Sequence, residues 1–549
     1  MATDSIMTRS PDPGLPAVRR SADLVGLLAS GTPAGRNRIG IGIGPAQLLG
    51  HTRTLLSGGY RLALVAAHHD PAHPDSALDP ARPEDAVAPD GSGMRVVYLF
   101  TCGRPDSRVE LHLHLNAESP VVPTLAGVSF PAGRFEREMH DLFGIVPLHH
   151  PLPRRLVRHP HWPRGWYPMR SDADDPPPAF SDSEPYPFLT VRGPGVYEIP
   201  VGPIHAGLIE PGHFRFSVVG ETILKLKARL WFTHKGIEKL FQGHDPVDKL
   251  PLAERISGDT AVGHALAYCL AVEDAVGCTV PPEAQRMRAL LLELERLHNH
   301  ITDIGALCND VGHSILHAHA LRIRETLLRL NAEITGHRLL RGGVVLGGAT
   351  LRSLPAPERL HVIGADIRDI VALALSHTVI RDRFTGTAVL SARQAHDLGA
   401  LGYVARASGI DADARRDHPF TDCYGSLTVP TKSGGDVLAR FLIRAEEIDV
   451  SLDLITGFLD DLRPGPITVW PPSPVRTGIR SGVGIVEGWR GTIVHRVELS
   501  PGRTLTRVKI VDPSFLNWPA LPLALHDTIV PDFPVTNKSF NLSYAGNDL

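Results

Sequence analysis

Carboxylates, hydroxyls and histidines crowd the stretch 254–303. Among its acids, Glu254, Asp259, Glu273, Asp274 and Asp303 stand on the segments expected to line a pocket. Carboxyls with pKa values raised by burial relay protons; the structural alternative pairs them with Arg255, Arg286 or Arg296. The segment ERISGDT at 254–260, followed by His264, sets Ser257 and Thr260 at the spacing of a Cys-x-x-Cys metal elbow. The terminal NLSYAGNDL at 541–549 repeats that spacing with Ser543 and Gly546. Soft metals need ionised thiolates, and neutral hydroxyls are poor substitutes. His205 and His213 stand on a glycine-rich stretch, where they suit ligand binding or plain loop hydrogen bonding. Arg490 lies in EGWRG at 487–491.

Other chemistries fail on spacing. GIGIGP at 40–45 lacks the third glycine of a dinucleotide fingerprint, and neither a Walker loop nor a His-Glu-x-x-His zinc motif is present. The cysteines, Cys102, Cys269, Cys278, Cys308 and Cys423, are odd in number and no two have Cys-x-x-Cys spacing. That argues against a disulfide framework and against an iron-sulfur cluster carried by this chain alone.

The elements that must position these residues follow from periodicity. Runs at 61–67, 95–101 and 108–115 read as strands, the last with Val109, Leu111, Leu113 and Leu115 inward and Glu110, His112 and His114 outward. Residues 68–90 are polar, proline-rich and histidine-bearing, and read as a solvated loop. The acidic, proline-rich 171–187 is a linker. Beyond it, Met287, Leu290, Leu291, Leu294, Leu297, Ile301 and Ile304 recur at helical spacing, with Pro281-Pro282 opening the helix. Leu438, Phe441, Leu442, Ala445, Ile448, Leu452 and Ile455 form a second stripe. Residues 492–498 and 505–511 flank Pro501-Gly502 as a β-hairpin. The expected class is α+β: a small N-terminal α/β domain at 20–170, the linker, and a mainly helical domain with β-hairpins at 188–549.

At 549 residues with 43% hydrophobic and 21% charged, the chain suits a globular protein of several domains. A formal charge of -3 gives no reason to expect nucleic acid. No apolar run approaches the ~18 residues of a membrane span, and the N-terminal 20 residues read as a disordered cytosolic start.

The run RFEREMHDLFGIV at 134–146, followed by His150-Pro151 and Arg154-Arg155, resembles the small hydrophilic subunit of respiratory complex I. Its dense charges are read as a clamp between subunits rather than a solvated helix. From VGPIHAG at 201–207 through EPGHFRF, THKGIEK, EGWRG and DPSFLNW to the C-terminus, the chain resembles the complex I quinone-site subunit. It is more similar still to the large subunit of hydrogenase-4 and formate hydrogenlyase. In that family two Cys-x-x-Cys pairs hold nickel and iron, and the matching positions here are Ser257, Thr260, Ser543 and Gly546. Glu254, Arg255, Asp259, His264 and Arg490 match the rest of the pocket.

The resemblance implies a peripheral-arm subunit of a complex I-like, hydrogenase-4-related assembly without a [NiFe] centre, coupling electron transfer to ion translocation. It would bind no cofactor itself. An iron-sulfur partner with a [4Fe-4S] cluster would lie against the two elbows, and membrane antiporter-like and quinone-module-like subunits would anchor it to the inner face of the cell membrane. The alternatives are a quinone-reducing subunit, with His205 or His213 at the head group and Gly258 where the family's tyrosine would stand, or a scaffold and conformational coupler.

Overall fold

The computed structural model describes residues 21–70, 93–181, 186–206, 209–425, 427–470 and 479–549. The expected N-terminal start and most of the 68–90 segment lie outside them. Helices and strands mix along the chain, as the α+β expectation requires. A five-stranded sheet comes first, in the order Thr32–Gly35, Arg38–Ile43, Ser107–Leu115, Gly93–Cys102, Arg61–Asp70. Arg38–Ile43 pairs parallel with Ser107–Leu115 and the other pairings are antiparallel.

Both faces of this sheet are covered, which corrects the half-buried strand. Val109, Leu111, Leu113 and Leu115 are buried as expected, but Glu110 is 0% exposed as well. Its carboxylate binds Arg38 and Arg496, both at 2.9 Å, and Arg496 comes from the three-stranded sheet Arg480–Gly488, Gly491–Leu499, Leu505–Val511. Glu498 of that sheet likewise holds Arg95 at 2.8 Å. The solvated-loop reading fails at its start too: His68 to Asp70 end a strand, and His68 is buried beside Glu498. Arginine pairs let these polar residues be buried.

The expected stripes form the helices Pro282–Asp310 and Val437–Asp460, packed with Ser314–Thr335 and Pro357–Ser376. In Val437–Asp460 the apolar stripe is incomplete. Arg440, Arg444, Glu447 and Ser451 are fully buried, whereas Leu438, Leu442 and Ala445 are only half-buried. The polar face turns inward because each member finds a partner: Arg444 meets Asp303 at 3.0 Å and Glu447 meets His300 at 2.8 Å.

The helix Phe130–Phe143 carries the RFEREMHDLFGIV charges inward. Asp141 accepts the Leu156 and Val157 amides, and Glu138 meets Lys509 at 2.7 Å. These groups clamp segments of one chain together. Residues 171–181 form neither helix nor strand.

One close approach positions the site. Helix Ala261–Val276 lies directly on strand Arg480–Gly488, where a Cβ on Gly482 or Gly484 would stand 2.0 or 1.9 Å from the carbonyls of Ala271 and Ala267. Only glycine permits that packing. It fixes the turn after Gly488 over the start of the helix, bringing Trp489 and Arg490 to Thr260.

Candidate functional site

The two elbows, far apart in sequence, converge. Ser257 Oγ lies 2.8 Å from Ser543 Oγ, and both are buried. Ser257 and Thr260 each donate to Asp259 Oδ1 at 3.0 Å. Ser543 caps the terminal helix Tyr544–Asp548 by accepting the Gly546 amide at 2.8 Å. All four ligand-matching positions therefore belong to one hydrogen-bonded cluster.

Arg490 spans the cluster. Its guanidinium grips both Asp259 oxygens, at 2.6 and 2.7 Å, while Nε donates to the Asn541 carbonyl at 2.6 Å. Trp489 stacks under the cation, with 4.0 Å from guanidinium carbon to ring centroid, and donates to the Asp259 carbonyl. The first elbow, the EGWRG turn and the C-terminal elbow are thus tied through one ion pair. Burial opposes charge on both partners, yet the pairing holds Asp259 below the usual carboxylate range and Arg490 above the usual guanidinium range. The Asp259 side chain is 40% exposed against 5% for Arg490, so the pair opens to solvent at the carboxylate.

His264 sits behind the elbows, fully buried, with Nε2 3.0 Å from Asp512 and Nδ1 3.0 Å from His495. Glu254 and Arg255 point elsewhere. Glu254 accepts the Gly342 amide at 2.6 Å and burial raises its pKa; Arg255 is exposed and donates to the Pro251 carbonyl. His205 and His213 cross-link their own loop, donating to the carbonyls of Gly212 and Gly202 at 2.8 and 3.0 Å. That loop abuts the second elbow: Glu210 accepts the Ala545 amide, and a Cβ on Gly212 would lie 2.5 Å from the Tyr544 ring.

Of the expected arginine partners of the acids, Arg255 reaches Glu254 at 3.8 Å and the other two are corrected. Glu273 pairs with Arg288, Asp274 with Arg38, and Asp303 with Arg444, whereas Arg286 pairs with Glu283 and Arg296 with Glu293. Three-dimensional packing brings closer arginines than sequence proximity suggests.

Sequence reasoning missed Glu295, His495, Asp512 and Tyr544 as site residues. Glu295 accepts the amides of Val262 and Gly263 at the start of the elbow helix; burial outweighs these bonds and lifts its pKa to about 8, aided by nearby Asp259. Glu295 follows the stripe residue Leu294 in the predicted helix, and that placement was its only signal. Asp512 opens the DPSFLNW motif, a position typical of a helix cap, and indeed caps Pro513–Asn517.

The residues present do not fit the four-thiolate [NiFe] centre of the resembling family. Three positions hold hydroxyls already committed to one another and to Asp259, which is the wrong donor chemistry for nickel. The fourth, Gly546, has no side chain, and a Cβ there would stand 2.6 Å from the Asp512 carboxyl.

Family models match three stretches: the respiratory-chain NADH dehydrogenase 30 Kd subunit at 70–178, nickel-dependent hydrogenase at 235–308, and the respiratory-chain NADH dehydrogenase 49 Kd subunit at 310–477. Formate hydrogenlyase subunit 5 of Escherichia coli (strain K12) is 32% identical over 453 residues, covering 80% of this chain and 79% of that protein. Hydrogenase-4 component G of the same organism is 32% identical, over 75% of this chain and 73% of its own. An NADH-quinone oxidoreductase subunit of Phocaeicola vulgatus is 29% identical, over 73% of this chain and 81% of its own. Among solved structures, a chain of the membrane-bound sulfane sulfur reductase, an archaeal respiratory membrane complex, matches with a TM-score of 0.60 and 25% identity, covering 65% of this chain and 99% of that one. With elbows, EGWRG turn and fused 30 Kd-like segment all in place, the chain belongs to the hydrogenase-4/formate hydrogenlyase large-subunit family of hydrogenase-related, complex I-like oxidoreductase subunits.

Proposed function

We propose that this chain is the peripheral-arm subunit of a complex I-like, hydrogenase-related membrane assembly. In this reading an iron-sulfur partner carrying a [4Fe-4S] cluster docks against the elbows, electron transfer is coupled to ion translocation, and no [NiFe] centre forms. The observation that carries it is the Asp259–Arg490 ion pair joined to the Ser257–Ser543 hydrogen bond, which ties the elbows where the family places metal. Among the described residues no helix is long and apolar enough to cross a membrane; in this reading antiporter-like and quinone-module-like partners provide the attachment. Purifying the assembly from native membranes and measuring metals by mass spectrometry tests the reading. Iron at cluster stoichiometry with nickel at background supports it, whereas one nickel per chain overturns it.

A second reading, quinone reduction, is favoured by the loop bearing His205 and His213. Tyr544 packs against Gly212 of that loop, whereas the family tyrosine, which by resemblance aligns with Gly258, is absent. A Cβ on Gly258 would meet nothing within 4 Å, so the variant Gly258→Tyr starts its side chain in open space. Quinone-dependent turnover that rises in this variant and falls in Tyr544→Ala supports quinone reduction; no turnover with any quinone leaves a scaffold and conformational coupler as the role.

A further inference from the structure

Behind the second elbow, three polar side chains from distant segments form an isolated buried chain. Asp512 Oδ2 meets His264 Nε2 at 3.0 Å, and His264 Nδ1 meets His495 Nε2 at 3.0 Å. None is more than 1% exposed. Asp512 is anchored by the Ser514 amide, which donates to Oδ1 at 2.7 Å. His495 Nδ1 is buried and has no hydrogen-bond partner.

The surroundings leave little else to titrate. Strand neighbours of His495 are Gly484 and Ile510, both uncharged. Tyr268, whose ring centroid lies 6.4 Å from that of His495, donates its hydroxyl to the Pro246 carbonyl. Arg490 acts on Asp512 from the cavity side, where Asp512 also borders Gly546.

We propose that Asp512, His264 and His495 form a buried one-proton store at the second elbow. An ionised carboxylate only accepts, so His264 keeps a proton on Nε2 in every state. Its Nδ1 then has two options. With His264 neutral, Nδ1 accepts the N–H of His495 Nε2; with His264 protonated, Nδ1 donates to Nε2 and the proton of His495 sits on Nδ1. Both states keep the same heavy-atom bonds and differ by one proton, so uptake needs no rearrangement of the fold. Of the two rings only His264 touches the Asp512 carboxylate, so the geometry puts the added charge there; burial, followed by the facing His264, holds His495 well below the usual imidazole range. If electrons arrive at the elbows from a docked iron-sulfur partner, as the main reading above holds, this store can supply or absorb the balancing proton; its existence does not rest on that reading.

The test is solid-state nuclear magnetic resonance of the full chain labelled with 15N-histidine, followed from about pH 5 to 9. His264 and His495 are assigned by their loss in His264→Gln and His495→Gln; in the latter the glutamine amide stands near the Nε2 position. The expected result is a bridging Nδ1 signal of His264 that changes from lone pair to N–H with one midpoint. Asp512→Asn retains the helix cap through its amide oxygen and turns its NH2 to His264 Nε2, which must then accept, so Nδ1 carries N–H at every pH and the change at that nitrogen is lost. In His495→Gln the His264 change persists with its midpoint displaced. Fixed neutral tautomers on both rings across the range overturn the proposal, as does a change at Nδ1 that persists in Asp512→Asn. The readout needs no electron acceptor, so failure of the electron-transfer reading leaves the result interpretable.

Discussion

The hydroxyls of Ser257 and Ser543, separated by 286 positions in the chain, lie 2.8 Å apart. Their contact closes the space between two elbows that in resembling hydrogenases is bridged by metal. Beside it, Asp259 and Arg490 supply the ionic tie.

Restoring the thiolates is expected to fail as a route to nickel. In the variant Ser257→Cys, Thr260→Cys, Ser543→Cys, Gly546→Cys, the fourth Cβ meets the Asp512 carboxyl at 2.6 Å and the Ser543 cap of the last helix is lost. Removing such a cap costs about 0.5–2 kcal/mol. Metal analysis after expression with the nickel maturation machinery should find well under one nickel per chain, and the thermal midpoint should fall.

The Asp259–Arg490 pair should respond asymmetrically. Asp259→Ala strands a guanidinium whose side chain is 5% exposed and should cost about 2–4 kcal/mol, because a buried unpaired charge is left behind. Arg490→Ala leaves a carboxylate that water reaches, and the loss should be smaller. Limited proteolysis near residues 541–549 and the thermal midpoint together measure the difference.

Glu295 sets a pH dependence. Its folded pKa of about 8 lies above the ordinary 4.5, so between these values the folded state holds a proton that the unfolded chain has released. Stability contributed by this site therefore falls as pH rises from about 4.5 to 8, by on the order of a few kcal/mol. Glu295→Gln, which cannot ionise, should flatten the slope of thermal midpoint against pH in that window.

Glu110, beside the Arg95–Glu498 pair, bridges the five-stranded sheet and the strand Gly491–Leu499. Glu110→Ala leaves Arg38 with Asp274 and Arg496 with Glu498 as remaining partners, so the loss should stay below the about 3–5 kcal/mol of a stranded buried charge. Faster proteolysis within residues 171–187 would report the loosened packing, and unchanged cleavage would show that other contacts hold the sheets.

Much of the fold was legible in sequence because periodicity reports burial. The stripe from Leu290 to Ile304 and the alternation from Val109 to Leu115 led to the right elements. What failed were polar residues: Glu110 and His68 read as solvent-facing, and the stripe 438–455 gave no sign of Arg444 or Glu447, yet each is buried against a partner remote in sequence. Hydropathy patterns record side-chain polarity but carry no information on which distant charge will arrive to neutralise it.

The site divides along the same line. Sequence alone determined the chemistry at the four elbow positions, since hydroxyls and a glycine cannot act as thiolates whatever their surroundings. It also placed Arg490 and the family motifs in order. Tertiary structure alone decided that Ser257 meets Ser543, that Arg490 chooses Asp259, and that His264 faces both Asp512 and His495. Those pairings depend on Gly482 and Gly484 admitting a helix against a strand, an approach set by packing in three dimensions rather than by any local preference of the chain.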